Sequence, residues 1–306
     1  MSEPPAPAGP TRCGFVAVLG APNVGKSTLV NALVGAKVSI VTPKVQTTRM
    51  RVRGIAVVGR AQIIFVDTPG IFAPRRRLDR AMVAAAWSGA GDADIVALVV
   101  DAKRGLDEET RAIAAKLGAA KAKKVLIFNK IDLVKRDALL ALAAEANALL
   151  PFERTFMVSA LSGDGVEDVR GYFAEVAPEG PWHFPADELS DLSERVMAAE
   201  ITREQMFLKL HEELPYQSTV ETDSWTELKD GSVRIEQTIF VQRENQRKIV
   251  LGEGGKMIKA ISMAARKEIA GATGKPVHLF LHVKIREDWE SDPERYRSMG
   301  LEFPKE

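Results

Sequence analysis

Residues 20–27, Gly-Ala-Pro-Asn-Val-Gly-Lys-Ser, fit the spacing G-x-x-x-x-G-K-[ST]. The chemistry this spacing offers is phosphate binding. The glycines permit a turn that aims backbone N–H groups at an anion, Lys26 adds a point charge, and Ser27 offers a hydroxyl to Mg²⁺. Asp67-Thr68-Pro69-Gly70 follows, where an acidic strand end beside a phosphate loop can hold Mg²⁺ through water and Gly70 lets the backbone approach a γ-phosphate. Farther on, Asn129-Lys130-Ile131-Asp132 closes another apolar run. The Asp132 carboxylate can accept from the ring N–H and the exocyclic amine of guanine, a donor pair that adenine lacks, so GTP is favoured over ATP. Lys130 can lay its methylenes along the base, and Ser159-Ala160-Leu161 can present a backbone N–H to the guanine carbonyl. The predicted nucleotide set is therefore Gly20, Ala21, Pro22, Asn23, Val24, Gly25, Lys26, Ser27, Thr28, Asp67, Thr68, Pro69, Gly70, Asn129, Lys130, Asp132, Ser159, Ala160 and Leu161. Catalytic work is assigned to Lys26, Thr47, Thr48 and Gly70. Metal ligation is assigned to Ser27, Asp67 and one of Thr47 and Thr48, between which the sequence does not choose.

These residues need strand ends to stand on. Short apolar runs (Phe15–Leu19, Ile63–Val66, Ile95–Val100, Lys124–Phe128, Thr155–Val158) alternate with helical patterns near 26–35, 77–90, 107–118, 137–149 and 165–175. That alternation predicts an α/β domain with a mostly parallel sheet, over residues 12–177. Arg51–Val58 reads as an extra strand joined to Ala61–Val66 through Gly59-Arg60, which makes one edge antiparallel. Residues 1–11, rich in Pro and Ala, read as a disordered tail. Residues 178–188, with three prolines and a glycine in Pro178–Pro185, read as a linker. From 189 to 306 the order changes to α+β: a long helix over 189–214, strands at 218–227 and 233–242, helices at 247–251 and 256–269, and a strand at 277–286.

Composition narrows the setting. The chain has 306 residues and a formal net charge of +1, so a nucleic-acid partner has to be argued from local patches. One cysteine, Cys13, forms no internal disulfide, and no apolar run reaches the roughly 20 residues that span a bilayer, so the expectation is a cytoplasmic protein. Between Arg243 and Lys275, eight basic residues stand against Glu244, Glu253 and Glu268. This charge surrounds Gly252-Glu253-Gly254-Gly255, a turn between two helices that can bring N–H groups against a nucleic-acid backbone. The candidate RNA residues are Arg247, Lys248, Gly252, Glu253, Gly254, Gly255, Lys256 and Lys259. Phe240 and Phe280 are read as core strand positions. His183, His211, His278 and His282 are read as surface or strand histidines with no metal. Arg75-Arg76-Arg77 is read as a solvated face in preference to an RNA contact.

Taken together these motifs resemble the translation-factor-related GTPases, and nearly everything after residue 12 is similar to their bacterial ribosome-assembly members. The stretches that carry the likeness are Val38–Val41 with Gln46–Arg49, Asp67–Ile71 running into Arg75–Met82, and Val241–Gly255, which resembles a type II KH domain with its G-x-x-G loop. The resemblance implies a P-loop GTPase domain followed by a KH domain, with GTP or GDP and Mg²⁺ bound in the first and single-stranded 16S ribosomal RNA in the second. It also implies a role in assembly of the 30S subunit, a monomer, and weak peripheral attachment to the cytoplasmic face of the inner membrane. Ile71 occupies the position where many small GTPases carry a water-orienting glutamine, so slow intrinsic hydrolysis is expected. Asn23 resembles the asparagine that in related GTPases holds K⁺ against the phosphates, although an asparagine suited to turn geometry fits the position as well. The competing reading is an RNA-binding module whose nucleotide is structural and not hydrolysed.

Overall fold

The computed structural model describes residues 9–44, 47–211, 214–287 and 292–304. They divide into two compact units, the first within Met1–Ser39, Thr48–Asp191 and Tyr296–Glu306, the second within Ile40–Thr47 and Leu192–Arg295.

In the first unit a six-stranded sheet has the order β2-β3-β1-β4-β5-β6. Its strands are β1 (Arg12–Leu19), β2 (Val52–Val58), β3 (Ala61–Asp67), β4 (Ile95–Asp101), β5 (Lys123–Asn129) and β6 (Arg154–Met157). Only β2 and β3 pair antiparallel, as their two-residue connection dictates. The helices are α1 (Lys26–Val34), α2 (Arg77–Gly91), α3 (Glu108–Leu117), α4 (Arg136–Leu149) and α5 (Val166–Val176). β3 and β4 are buried at every position, as expected of strands covered on both faces. In consequence Leu19, Asp67, Asp101 and Asn129 all fall at the same, carboxyl-terminal edge of the parallel strands, the edge where such sheets bind ligands.

The second unit places α6 (Glu194–Lys209), α7 (Glu244–Leu251) and α8 (Lys256–Thr273) with a three-stranded sheet of order β7-β8-β9. β7 (Thr219–Glu227) and β8 (Val233–Val241) are antiparallel, and β9 (Val277–Ile285) runs parallel to β8. Ala198, Ile201, Ile235, Ala265 and Ile269 form part of its core. A short helix, α9 (Pro293–Ser298), follows.

Three expectations change. The helix foreseen over 189–214 begins only at Glu194, after the Ser193 hydroxyl accepts from Val196 N–H. Its expected first turn pairs instead with the edge of β2: Ile55 N–H donates to the Leu189 carbonyl at 2.9 Å, and Arg53 N–H to Asp191 Oδ1 at 3.0 Å. Residues 178–188 are also bound to the first unit. Cys13 N–H donates to the Pro178 carbonyl, Gly180 N–H to the Thr11 carbonyl, and the buried Gln62 amide accepts from His183 and Phe184 N–H while donating to the Phe184 carbonyl. Thr11, expected in the tail, is thus tied down; the disorder foreseen for residues 1–8 lies outside the described residues. Finally, not all of 189–306 belongs to the second unit, because Tyr296, fully buried, packs edge-on against Phe303, whose ring lies under the Arg77 guanidinium.

Gln62→Leu keeps the side-chain volume but leaves three backbone groups of the 183–184 segment without their partner. It should cost about 1–3 kcal/mol in urea unfolding. A loss below about 0.5 kcal/mol would show that Gln62 does not anchor this segment.

Candidate functional site

The loop between β1 and α1 is shaped by the end of β5. Gly25 has φ 93°, and a Cβ there would come within 2.3 Å of Asn129 Nδ2, so only glycine fits. That same Nδ2 donates to the Val24 carbonyl at 2.9 Å, while Asn129 Oδ1 accepts from Ala160 N–H at 3.0 Å. One buried amide therefore joins the loop, β5 and the turn after β6. Lys130, in the left-handed region at φ 64°, sends its ammonium to the Asn23 carbonyl at 2.6 Å and to Asp101 Oδ2 at 2.7 Å. Asp132 follows on a single 3₁₀ turn and is exposed, as is Leu161, while Ser159 and Ala160 are buried. Pro22 lies against Gly70, and its carbonyl accepts from Arg104. Asn23 is exposed and left-handed, at φ 63°.

At the other end of the loop Lys26 is buried and donates to the Gly20 and Ala21 carbonyls at 3.1 and 2.9 Å. Burial lowers its pKa to about 8, against the opposing pull of Asp67. Ser27 Oγ donates to Asp67 Oδ2 at 2.7 Å and lies 3.0 Å from Thr48 Oγ1. Thr28 continues α1. Burial pushes Asp67 up, opposed by the Ser27 hydrogen bond, the Lys26 charge, the nearby Ser39 hydroxyl and the Thr68 amide. Asp67 Oδ1 is buried with no hydrogen-bond partner. Thr68 Oγ1 donates to the Val18 carbonyl, which fixes the chain entering Pro69-Gly70, and Ile71 N–H donates to the Gly20 carbonyl. Thr48, not Thr47, meets Ser27: the Thr47 hydroxyl is engaged by Lys44 O at 2.8 Å and Thr42 Oγ1 at 2.6 Å.

Asp101 is a site residue that sequence reasoning misses. The available signal is that the run Ile95–Val100 ends in an aspartate, as β3 does; its pairing with Lys130 follows from the β4–β5 register, which sets Asp101 beside Asn129.

In the second unit the turn between α7 and α8 is built as its glycines require. A Cβ on Gly252 would meet Met257 Cβ at 2.7 Å, and φ there is 69°. Gly254 and Gly255 are also left-handed but face open space. Lys248, Glu253, Lys256 and Lys259 are exposed, Arg247 pairs with Glu244 at 3.2 Å, and Lys256 stands 4.0 Å from Glu253. Ile249, exposed on α7, supplies an apolar surface beside them. Phe280 is not a core residue: it shares the outer face of β9 with His278 and His282, is 45% exposed, and carries Arg234 over its ring at 4.8 Å. Among the described residues no group of His, Cys, Asp and Glu could hold a metal on its own.

A phosphate loop whose lysine and serine converge on a strand-end aspartate, with an Asn-Lys-x-Asp strand end pinned to the same loop, defines a P-loop GTPase domain, here joined to a KH fold. Comparison with known proteins carries this further. Residues 15–130 match the family model of the 50S ribosome-binding GTPases and residues 213–290 that of KH domains. The chain is 66% identical over 300 residues to GTPase Era of Bradyrhizobium sp. (strain BTAi1), covering 98% of this chain and 97% of that one. It is 63% identical over 296 residues to GTPase Era of Rhizobium meliloti, with 97% and 95% covered. Two crystal structures are similar at 36% identity, covering 95% of this chain and 99% of theirs: Era with MgGDPNP and nucleotides 1506–1542 of 16S ribosomal RNA, at a TM-score of 0.89, and a point variant of Aquifex aeolicus Era bound to GDP·AlF4⁻, at 0.90. The chain belongs to the Era family of GTPases.

Lys26 yields a pH test. If Lys26 meets phosphate oxygens, they favour its charged form, so binding raises its pKa above about 8 and takes up a proton. Affinity for GDP is then full below that value and falls as pH rises through it, about tenfold from pH 7 to pH 9. Titration calorimetry in buffers of different ionisation enthalpy reads both quantities; flat affinity without proton uptake would contradict the assignment.

Proposed function

We propose that the protein is a GTP-controlled switch that binds 16S ribosomal RNA through its KH unit and assists assembly of the 30S subunit. The observation that carries this reading is Asp67: its Oδ1 is buried and unpartnered beside the Ser27 and Thr48 hydroxyls, while Lys26 lies buried close by. That donor set fits Mg²⁺ with a polyphosphate, the combination held by the Era structure solved with MgGDPNP and RNA. Mg²⁺, when bound, neutralises charge on the β- and γ-phosphates.

In this reading Ser27 and Thr48 give hydroxyl ligands, Asp67 holds the metal through water, and Lys26 leaves its two carbonyl partners for phosphate oxygens. Asp132 and a backbone N–H of the turn over residues 159–161 read the guanine, and Lys130 covers its face while Asp101 fixes the ammonium. The Gly70 N–H would be the backbone group that meets the γ-phosphate. Ile71 offers no group to orient water, so the reaction rests on positioning and charge neutralisation and is slow. Asn23, exposed at the loop's tip, is a K⁺ ligand in this account. If so, GTP turnover in K⁺ should exceed that in Na⁺ by about tenfold or more at matched ionic strength. Equal rates would remove K⁺ from the site.

RNA contacts are assigned to Arg247, Lys248, Gly252, Glu253, Gly254, Gly255, Lys256 and Lys259, with backbone N–H groups of the turn against phosphates and Ile249 against a base. Lys256→Glu, and separately Asp at both Gly254 and Gly255, should weaken binding of a short single-stranded RNA by about tenfold and lower its salt dependence. Undiminished affinity in a folded variant would refute this RNA site.

A further inference from the structure

The six-stranded sheet of the first unit ends in two edge strands, and its two edges are finished differently. The edge at β2 is covered: Ile55 N–H donates to the Leu189 carbonyl, Asp191 N–H to the Arg53 carbonyl, and Gly54 bridges Ser190. The edge at β6 is open. β6 pairs with β5 alone, and among the described residues no backbone hydrogen bond or bridge lies on its other side, which leaves a row of N–H and C=O groups without a strand partner. A groove of about 830 Å³ runs along that edge beside α5, and its walls include Arg154, Phe156, Asp168, Gly171, Tyr172 and Glu175.

The helix that walls the groove breaks two local rules beside it. Asp168, Gly171, Tyr172 and Glu175 follow the spacing i, i+3, i+4, i+7 and so share one face of α5. Glycine inside a helix weakens it relative to alanine, and a Cβ on Gly171 would meet nothing within 4 Å, so packing does not call for glycine there. Its effect is to leave the groove open next to Tyr172, whose ring stands edge-on to Phe156 at 5.4 Å. Glu175 sits in the last turn, where the helix dipole disfavours an acid, and no basic residue accompanies it there. Sequences break such rules chiefly at functional or strained sites. The groove is also acidic. Asp168 and Glu175 are exposed on the helix side, and the exposed Glu153 immediately precedes β6. Burial, then Glu153 and Glu175, push the Tyr172 phenol above its ordinary pKa, against the pull of Arg154. Another acid on the wall, Glu167, is paired with Arg170.

We propose that the groove between β6 and α5 receives an extended, lysine- or arginine-rich segment of a partner protein, which adds to the sheet as a further strand. Main-chain bonds to the free edge of β6 supply affinity, side chains of one parity enter the gap at Gly171 against Tyr172 and Phe156, and basic side chains meet Glu153, Asp168 and Glu175. At ~3.3 Å per residue, a segment of about four to six residues spans the strand. Charge selects the occupant. A second copy of this chain paired edge to edge through β6 would gather the acids of both grooves on one ribbon, a like-charge arrangement that disfavours it.

The probe is a short synthetic peptide of alternating lysine and valine, titrated into the ¹⁵N-labelled full chain. Amide shifts should move along 153–158 and 165–176. Binding should weaken at least about tenfold when the central valine is replaced by proline, which removes a main-chain donor and interrupts the added strand. The same peptide with glutamate in place of lysine should not bind at about 1 mM. Gly171→Leu fills the gap and should weaken binding at least about tenfold, while Gly171→Ala leaves the groove open, binds within about twofold of the parent and melts no lower. Glu175→Lys, on the exposed wall, should weaken binding by about five- to tenfold. GDP affinity within about twofold of the parent in all three variants checks that none has lost its fold. No binding of the lysine–valine peptide at about 1 mM, equal binding of the proline peptide, shifts confined to other parts of the chain, or undiminished binding to folded Gly171→Leu and Glu175→Lys would overturn the proposal. So would sedimentation equilibrium showing a parent dimer that Gly171→Leu dissociates, because the groove would then belong to a second copy.

Discussion

The nucleotide site depends first on the side-chain amide of Asn129. It is 2% exposed, donates to Val24 in the phosphate loop, accepts from Ala160 in the turn after β6, and sits where any side chain on Gly25 would be. Three chain segments far apart in sequence are thereby held at hydrogen-bond length. The loop over residues 20–27 cannot drift from the strand end that carries Lys130 and Asp132, so the proposed phosphate and base contacts share one frame. The ion pair of Lys130 with Asp101 and its bond to Asn23 reinforce the frame from the solvent side. Each bond alone contributes on the order of 1 kcal/mol, but a buried amide with one partner removed costs more than that, which makes the arrangement close to all-or-none.

Within that frame the Lys26–Asp67 cluster is held at some expense to stability. Burial disfavours both charges, lowering the lysine and raising the aspartate. For Lys26 the penalty is fully present below about pH 8 and disappears as pH rises through the unfolded value near 10.5. A polyphosphate at Lys26 and a divalent cation at Asp67 would reverse both effects, one supplying negative charge and the other positive charge. The charges of this cluster are therefore the ones that Mg²⁺–nucleotide would stabilise.

Much of this was legible in the sequence, for a physical reason. The motifs at 20–27, 67–70 and 129–132 each need a strand end and a turn, and apolar runs with glycines announce both locally. The α/β to α+β change was legible from periodicity. What was not legible depends on distant pairing. Asp101 matters because of its register with Asn129. Thr47 and Thr48 are chemically identical, and only the fold turns one toward Ser27 and the other toward Lys44 and Thr42. The apolar residue Leu189 fits a helix pattern, yet the free edge of β2 takes its carbonyl. Phe280 is apolar and fits a core strand by composition, yet it shares the parity of His278 and His282 along β9 and lies on the solvent face.

If Asn129 locks phosphate and base recognition into one site, Asn129→Asp shows it most directly. The shape is unchanged, but when the oxygen that replaces Nδ2 faces the Val24 carbonyl the donor is lost and two acceptors oppose each other. Circular dichroism should report an intact fold while calorimetry shows GDP affinity reduced by at least about 100-fold, near 3 kcal/mol. A folded variant that bound GDP within about threefold of the parent would contradict the account.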